Sequence, residues 1–355
     1  MATDIDKHQD RVKQGLSRAF DDPRTTVTTF DIDEDQLIIF SDHHRGAKDG
    51  ADDFWRCERA YHAALGHYFE AGHRLLLLGD VEELWENKPD EVMRKYRRTL
   101  ELEQEFQRDG RLERFWGNHD DNWRHEKDTE KYLHPLYPRL AVHEAMRMRI
   151  VEDGEPIGML FLVHGHQGTL DSDRFGMFSR LVVRNVWRPF QQRFKIPSTT
   201  PSRDFELRAG HNDAMFEWAK GRPEKLVLIA GHTHQPAFSD PQVRPERKPD
   251  IIGEELRLLR ETGNATPAQL AALRAEYELV ETEQFGNPPK KMPLPCYFNT
   301  GCCSYGDGDV TGIEISDGLI RLVRWLNDES KPEVRELANE PLRKVLDKVE
   351  GSHLE

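Results

Sequence analysis

The chain is poor in cysteine, with four in 355 residues. Cys302 and Cys303 are neighbours, whereas Cys57 and Cys296 lie far from them in the sequence. So few cysteines cannot supply the disulfide framework on which small secreted domains depend. We therefore expect four reduced thiols, as in a protein that works in the cytoplasm.

Long hydrophobic runs are also missing. No apolar run reaches the roughly 18 residues that a membrane helix needs. The first seven residues, MATDIDK, contain no apolar signal region. These absences predict a cytoplasmic protein without an integral membrane segment, and they leave peripheral contact with a membrane surface open.

Positive charge is the third shortage. The chain has 50 Lys and Arg against 64 Asp and Glu, a formal net charge of −14. An acidic chain repels the phosphate backbone of nucleic acids, so we expect no long nucleic acid as a partner. The length and the 37% share of hydrophobic residues suffice for one large core with appended elements. They do not fix an oligomeric state.

The most informative feature of the chain is a series of short segments rich in histidine and aspartate. Most of them directly follow an apolar run that predicts a buried strand. Open α/β folds build their sites at the carboxyl ends of such strands. The five segments are 41–44 (SDHH), 79–83 (GDVEE), 117–120 (GNHD), 163–166 (VHGH) and 231–234 (GHTH).

Alternating strand and helix patterns predict a layered α/β fold. Helices are expected over 51–72 and 89–109. The strands are expected at 36–40, 74–78, 112–116, 146–151, 157–163 and 226–230, with an antiparallel finish at 295–299, 309–315 and 318–325.

Two segments interrupt this alternation. We expect a core made of 26–169, 223–239 and 295–326. Residues 170–222 are predicted to form a helical cap insertion, and residues 240–294 a second, charged helical insertion. Residues 1–25 and 327–355 are predicted to be peripheral helical ends.

The residue types in the five segments suit phosphoester chemistry. An anionic phosphoester repels nucleophiles, and two divalent cations about 3.5–4 Å apart neutralise that charge and supply a bridging hydroxide. Such a site needs a carboxylate that both metals share, completed by imidazole and oxygen ligands. The spacing of Asp42 and His44, and of His232 and His234, lets alternate side chains at a strand end face the same side.

Together the patterns D-x-H, G-D-x-x-E, G-N-H-D, H-G-H and G-H-T-H resemble the calcineurin-like metallophosphoesterase superfamily. The resemblance covers about residues 36–240, with a family-like ending at 297–301 (YFNTG). It implies a two-sheet sandwich flanked by helices, with a dinuclear metal site. By resemblance, Asp42, His44, Asp80 and His234 hold the first metal, and Asp80, Asn118, His164 and His232 hold the second.

The same resemblance implies catalytic roles for two further residues. His119 would sit over the phosphate and protonate the leaving oxygen, and Asp120 would orient the His119 ring. Mixed imidazole, amide and carboxylate ligands suit several metals. We expect two Mn²⁺ ions, with iron and zinc as alternatives.

Within the superfamily, two longer patterns are similar to UDP-2,3-diacylglucosamine diphosphatases. They are G-D-x-x-E-x-W from Gly79 to Trp85, and His164-Gly165 followed six residues later by Asp171. Those enzymes cleave a diphosphate in lipid A synthesis and carry a helical cap where this chain has residues 170–222. That family typically has arginine at the position of His119.

The expected cap has a distinctive charge pattern. From Arg174 to Arg203 there are seven basic residues and no acidic one, with aromatic residues interleaved. This pattern favours a phosphate joined to a large apolar group, or an anionic membrane surface. A helix packed on the core with solvated arginines has the same pattern. We expect Arg174, Arg180 and Arg184 to contact the substrate.

The sequence thus predicts a metal-dependent phosphohydrolase that cleaves a phosphodiester or diphosphate bond. Its substrate would be a phosphorylated small molecule, a nucleotide sugar or a lipid-linked compound. A nuclease or cyclic-nucleotide phosphodiesterase is an alternative with the same chemistry. A non-catalytic scaffold on the same fold is an alternative of another class, which would be expected to lack some of the ligands.

Overall fold

The computed structural model describes residues 4–168, 205–239, 290–328 and 331–351. The helices are α1 (Asp4–Asp21), α2 (Glu58–Glu70), α3 (Pro89–Lys95), α4 (Arg97–Arg108), α5 (Glu126–Asp128), α6 (Phe205–Lys220) and α7 (Leu342–Gly351). The first seven strands are β1 (Thr26–Asp31), β2 (Leu37–Phe40), β3 (Arg74–Leu78), β4 (Leu112–Phe115), β5 (Val142–His143), β6 (Ala145–Glu152) and β7 (Glu155–Val163). The remaining strands are β8 (Leu226–Ala230), β9 (Ala237–Phe238), β10 (Lys290–Lys291), β11 (Tyr297–Asn299), β12 (Val310–Ser316), β13 (Leu319–Leu326) and β14 (Glu333–Pro341).

The strands within these ranges form two seven-stranded sheets. The first sheet has the order β1-β6-β7-β8-β11-β9-β10, and the second has the order β14-β13-β12-β2-β3-β4-β5. In the second sheet β2, β3, β4 and β5 run parallel, while β12 and β13 form the antiparallel finish predicted at 309–315 and 318–325, and β14 extends it. The strand predicted at 295–299 is β11, which lies instead in the first sheet, parallel to β8 and antiparallel to β9. The α/β fold of two sheets flanked by helices is confirmed.

Both faces of the central strands are buried, and alternate residues serve different layers. In β3, Leu76 and Leu78 belong to the core between the two sheets. Leu75 and Leu77 point the other way and pack with residues of α2 and α4. This period of two explains why such strands appear in the sequence as continuous apolar runs.

The ends of the chain are less peripheral than predicted. Helix α1 buries Val12 and Leu16 completely against the outer face of the first sheet, together with residues of α6. Residues 333–341 form β14, which pairs antiparallel with β13 rather than forming a helix. The prediction of peripheral helical ends at 1–25 and 327–355 is wrong in these respects. Because β14 is an edge strand with few apolar residues, it lacked the run that identified the other strands.

The predicted cap also needs a correction at one end. Helix α6 falls inside the segment 170–222, yet Ala214, Met215 and Ala219 are fully buried in the cluster that includes α1 and β8. This helix is therefore part of the layer that covers the first sheet. The rest of the predicted cap, with Arg174, Arg180 and Arg184, lies outside the described residues, as does most of 240–294.

All four cysteines lie in the described part of the chain and are buried, and they form no disulfide. None of the helices in the described ranges is long and apolar enough to cross a membrane.

Candidate metal centre

Parallel strands bring the five motifs together. Strands β2, β3 and β4 are parallel neighbours in one sheet, and β7, β8 and β11 are parallel neighbours in the other. The loops after them therefore leave at the same edge of each sheet. Backbone hydrogen bonds join these loops, since the Asp42 N–H donates to the Gly79 carbonyl (3.1 Å) and the Gly231 N–H donates to the His164 carbonyl (2.9 Å).

The backbone of this edge is unusual. Asp42, His44, Asp80, His232 and His234 all adopt positive φ, between 50° and 69°. Residues other than glycine rarely adopt this left-handed conformation, and each such position costs of order 1–3 kcal/mol when the surrounding structure enforces it. These five are predicted metal ligands. Strain concentrated on them indicates that the fold holds these side chains for a purpose other than its own stability.

Close packing of the loops depends on two glycines. A Cβ atom on Gly117 would lie 2.2 Å from Asp80 Oδ1, and one on Gly231 would lie 2.3 Å from Ser41 Oγ and 2.5 Å from Asp42 Oδ2. No side chain larger than hydrogen fits there. The glycines of the third and fifth motifs thus allow the two carboxylates to approach the neighbouring loops.

The two buried aspartates share one arrangement. Asp42 Oδ2 accepts the His232 N–H (2.9 Å) and the Ser41 hydroxyl, and Asp80 Oδ1 accepts the His119 N–H (2.8 Å). The second oxygen of each carboxylate faces imidazoles instead. Each aspartate is therefore oriented by one oxygen and offers the other to the centre of the cluster.

The first half of the cluster contains Asp42, His44 and His234. His234 Nε2 lies 3.2 Å from Asp42 Oδ1 and 3.0 Å from His44 Nε2. His44 Nε2 lies 3.9 Å from both Asp42 Oδ1 and Asp80 Oδ2. Three motifs from two sheets thus point ligand atoms at one small volume.

The second half contains Asp80, His164 and His232. His164 Nε2 lies 3.1 Å from Asp80 Oδ2. The other ring nitrogen of His164, Nδ1, lies 2.8 Å from the Leu78 carbonyl, to which it can only donate. That contact fixes the proton on Nδ1 and leaves the Nε2 lone pair for a cation, as is usual for metal-bound histidine.

A test of metal fit is whether ligand atoms have other partners. Asp42 Oδ1 and His164 Nε2 contact only other members of the cluster, His234 Nε2 (3.2 Å) and Asp80 Oδ2 (3.1 Å) among the nearest. Asn118 Oδ1 is buried and forms no hydrogen bond among the described residues. Buried polar atoms are seldom left in this state, because each costs about 1–3 kcal/mol. The donor set fits divalent transition metals.

The ligand atoms fall into three overlapping groups within 4.8 Å of one another. The groups are Asp42, His44 and His234; His44, Asp80 and His119; and Asp80, His164 and His232. Asp80 belongs to two of them. The buried histidines and aspartates can therefore hold metal ions, and Asp80 lies where a shared ligand of two ions would be.

His119 is held by a carboxylate and an indole. Its Nδ1 lies 2.7 Å from Glu83 Oε2, and the same oxygen lies 3.2 Å from His44 Nδ1. The Trp85 ring stacks on His119 at 4.2 Å with an interplanar angle of 20°. The Trp85 indole N–H also donates to the Asn118 carbonyl (2.6 Å). Glu83 belongs to the second motif and Trp85 lies two residues after it, so this loop positions His119 as well as Asp80.

The prediction that Asp120 orients His119 is wrong. Asp120 Oδ1 accepts the backbone N–H of Gly117 (2.6 Å) and of Asp80 (3.3 Å), and Oδ2 accepts that of Val81 (2.9 Å). The carboxylate therefore ties the second and third motif loops together. Glu83 takes the position beside the imidazole that was expected for Asp120.

The raised pKa values of two histidines in the cluster reflect a surplus of carboxylates around them. Burial acts to lower the pKa of His44, but the hydrogen bond to Glu83 and the charge of Asp80 raise it to about 10. Burial likewise opposes protonation of His164, and the charges of Asp80 and Asp42 raise its pKa to about 9. Without a metal, protons on imidazole neutralise the carboxylates. A divalent cation would replace them.

A second buried cluster beneath the motif loops, which we call the ionic network, was not predicted from the sequence. Arg45 pairs with Glu103, and Arg114 pairs with Glu82, which also accepts the Trp123 indole N–H (2.8 Å). All four ion-pair partners are fully buried. Only Glu82 gave a signal, since it lies within the second motif. The partners of the two arginines lie 58 and 32 residues away.

No protein-family model matches this chain. No curated protein matches it either. Among solved structures, Vacuolar Protein Sorting 29 from Cryptosporidium parvum superposes with a TM-score of 0.34 at 13% sequence identity, covering 86% of this chain and 98% of that one. Because so loose a superposition does not discriminate between folds, the functional argument depends on the geometry of the site.

Proposed function

We propose that this protein is a dinuclear metal-dependent phosphohydrolase of the calcineurin-like metallophosphoesterase type. It would cleave a phosphodiester or diphosphate bond in a phosphorylated small molecule or lipid-linked substrate. One observation supports this above the others: side chains from all five motifs converge on Asp80, several of them in strained backbone, and the buried Asn118 Oδ1 has no hydrogen bond among the described residues. Such an arrangement is costly in a fold that binds nothing.

The ligand sets follow the two halves of the cluster. Asp42, His44, Asp80 and His234 would hold one ion, and Asp80, Asn118, His164 and His232 would hold the other. We propose Mn²⁺, with iron and zinc as alternatives, because imidazole and carboxylate ligands suit all three. When bound, the two ions would neutralise the phosphoryl group and activate water.

The roles of the neighbouring residues follow from their contacts. His119 would donate a proton to the leaving oxygen from its ring. The Glu83 carboxylate, 2.7 Å from Nδ1, favours the protonated ring and fixes its orientation. Trp85 covers one face of the imidazole and keeps its plane fixed. The Asp120 carboxylate would act only indirectly, by holding the loops that carry Asp80 and Asn118.

A substrate panel tests this proposal. Protein stripped with a chelator and reloaded with Mn²⁺ should hydrolyse bis-p-nitrophenyl phosphate or p-nitrophenyl phosphate, and the panel should extend to UDP-sugar diphosphates, cyclic nucleotides and short single-stranded DNA. The substrate class that is hydrolysed fastest distinguishes a diphosphatase from a nuclease or a cyclic-nucleotide phosphodiesterase.

The exposed Asp90→Asn variant serves as the control for Asp80→Asn. Hydrolysis that Asp90→Asn retains and Asp80→Asn loses supports the proposal. A purified protein without bound metal and without activity on any ester in the panel would point to a scaffold instead.

A further inference from the structure

A groove of about 650 Å³ adjoins one side of the metal centre. It extends from the third and fourth motifs to the second half of α1. Its size is within the range of small-molecule sites. The lining side chains on which the argument rests are Arg18, Trp116, Asn118, Arg124 and His166.

The groove reaches the centre at its second metal position. Asn118, a proposed ligand of that metal, lines both. His166 also lines the groove, and its ring centroid is 5.4 Å from that of His164. A substrate whose phosphate is bound at the centre could therefore place its remaining half in the groove.

Arg124 is the lining cation that lies four residues after the third motif, whereas Arg18 lies on α1. Arg124 is exposed, and its Nε donates to His125 Nε2 (3.2 Å). Its two terminal amino groups make no hydrogen bond within the described part of the chain. Arg24, which also lines the groove, is already engaged, since it donates to both carboxylate oxygens of Asp22 (3.1 and 2.7 Å).

Trp116 supplies an aromatic wall beside that cation. It is half-buried, and its ring centroid lies 4.8 Å from that of His166, which fixes the indole next to the centre. Planar rings stack on such a surface, and polar and charged groups make up much of the remaining lining. An acyl chain would be poorly matched to this wall and to Arg124.

We propose that this groove binds the leaving half of a diphosphate substrate, with the distal phosphate on Arg124 and an attached ring system against Trp116. This inference rests on the proposed function and adds the substrate class to it. The guanidinium would contact the phosphate oxygens through its terminal amino groups, and Trp116 would distinguish a nucleoside diphosphate from a bare diphosphate.

Calorimetric titration of the Mn²⁺-loaded protein tests the groove directly, because it reports binding rather than turnover. The probes are α,β-methylene-ADP, methylenediphosphonate and orthophosphate. We expect Arg124→Gln to weaken both two-phosphorus probes about ten-fold and orthophosphate less than about three-fold. Arg124→Lys, which keeps the charge, should recover part of the loss. Trp116→Leu should weaken only the nucleoside probe, by about ten-fold.

Arg98→Gln is the matched control, because Arg98 is an exposed arginine on α4. This variant should bind all three probes with wild-type affinity. Unchanged affinity of Arg124→Gln for the two-phosphorus probes overturns the inference. An equal loss of affinity for orthophosphate also overturns it, because Arg124 would then contact the phosphate at the metal centre rather than a second phosphate in the groove. Equal weakening of both two-phosphorus probes in Trp116→Leu overturns the stacking role. Failure of the proposed function would show separately, as a wild-type protein that hydrolyses no ester.

Discussion

The ionic network and the candidate metal centre are neighbouring buried clusters of charge that are neutralised in different ways. In the network, Arg45 and Arg114 match Glu82 and Glu103, so positive and negative side chains are equal in number. In the centre, every ion pair of Asp42, Asp80 and Glu83 within the described ranges is to a histidine. The network is neutral by itself, whereas the centre becomes neutral only by taking up protons or cations.

The two clusters alternate along the same loops. Arg45 follows His44, and Glu82 lies between Asp80 and Glu83. Backbone hydrogen bonds join the loops, from the Arg45 N–H to the Val81 carbonyl (3.0 Å) and from the Glu83 N–H to the Arg45 carbonyl (3.0 Å). The difference teaches that the network can stabilise the loops by itself, whereas the candidate centre places strained backbone and an uncompensated negative charge on the same loops.

The largest effect should come from breaking the centre alone. Asp80→Asn removes the shared negative charge, so we expect at least about a thousand-fold loss of hydrolysis, equivalent to about 4 kcal/mol of transition-state stabilisation. Metal content, measured by mass spectrometry of the purified protein, should fall below one ion per chain. Full metal content with full activity would show that Asp80 does not link the two halves.

The second effect tests the network in isolation. Arg45→Met leaves Glu103 buried without its partner, which should cost about 3–5 kcal/mol of unfolding free energy. The double variant Arg45→Met/Glu103→Leu should recover most of that loss, because no charge is then left uncompensated. Urea denaturation measures both. The exposed pair Arg97 and Glu101 provides the control, and its removal should cost less than about 1 kcal/mol. If the double variant has no higher unfolding free energy than Arg45→Met, the network is not neutralised by its own ion pairs.

The third effect concerns Glu83, which contacts both His44 and His119. Burial lowers the pKa of His119, and the charges of Glu83 and Asp80 more than offset this and raise it. Glu83→Gln should reduce hydrolysis about 10–100-fold. It should also lower the pKa of His119, so the loss of rate on the alkaline side should begin at a lower pH. The pH dependence of kcat measures this shift, with Glu105→Gln on α4 as control. Superimposable pH profiles of wild type and Glu83→Gln would contradict the positioning role of Glu83.

The smallest effect is the competition between protons and metal. In the metal-free protein the raised pKa values of His44, about 10, and His164, about 9, keep these rings protonated at neutral pH. Metal binding must displace such protons, so affinity should rise with pH up to about 9, by about ten-fold per pH unit for each proton released. Calorimetry in buffers of different ionisation enthalpy counts the protons. Affinity that is constant between pH 6 and 8 would contradict the charge surplus of the centre.

The sequence located the side chains that cluster around Asp80 better than the contacts that support them. Asp42, Asp80, Asn118, His164 and His232 could be found because each follows a strand whose apolar run is visible, and parallel strands end at one edge. The left-handed backbone of Asp42, Asp80 and His232 was not foreseeable, because it depends on contacts between loops.

Contacts across loops were not predictable either. Asp120 was assigned to His119 by the family resemblance, whereas Glu83 reaches the imidazole from another loop. Arg114 and Glu103 looked like ordinary surface charges of a strand and a helix. Strand β14 lacked an apolar run and was missed, since its pairing with β13 defines it.

The most direct test of the account is anomalous diffraction from crystals of the Mn²⁺-loaded protein, recorded at the manganese absorption edge. We expect two peaks about 3.5–4 Å apart on either side of the Asp80 carboxylate, one near His234 and the other near His164. No peak at this position, or peaks that do not contact Asp80, would contradict the claim that the five motifs form a dinuclear centre.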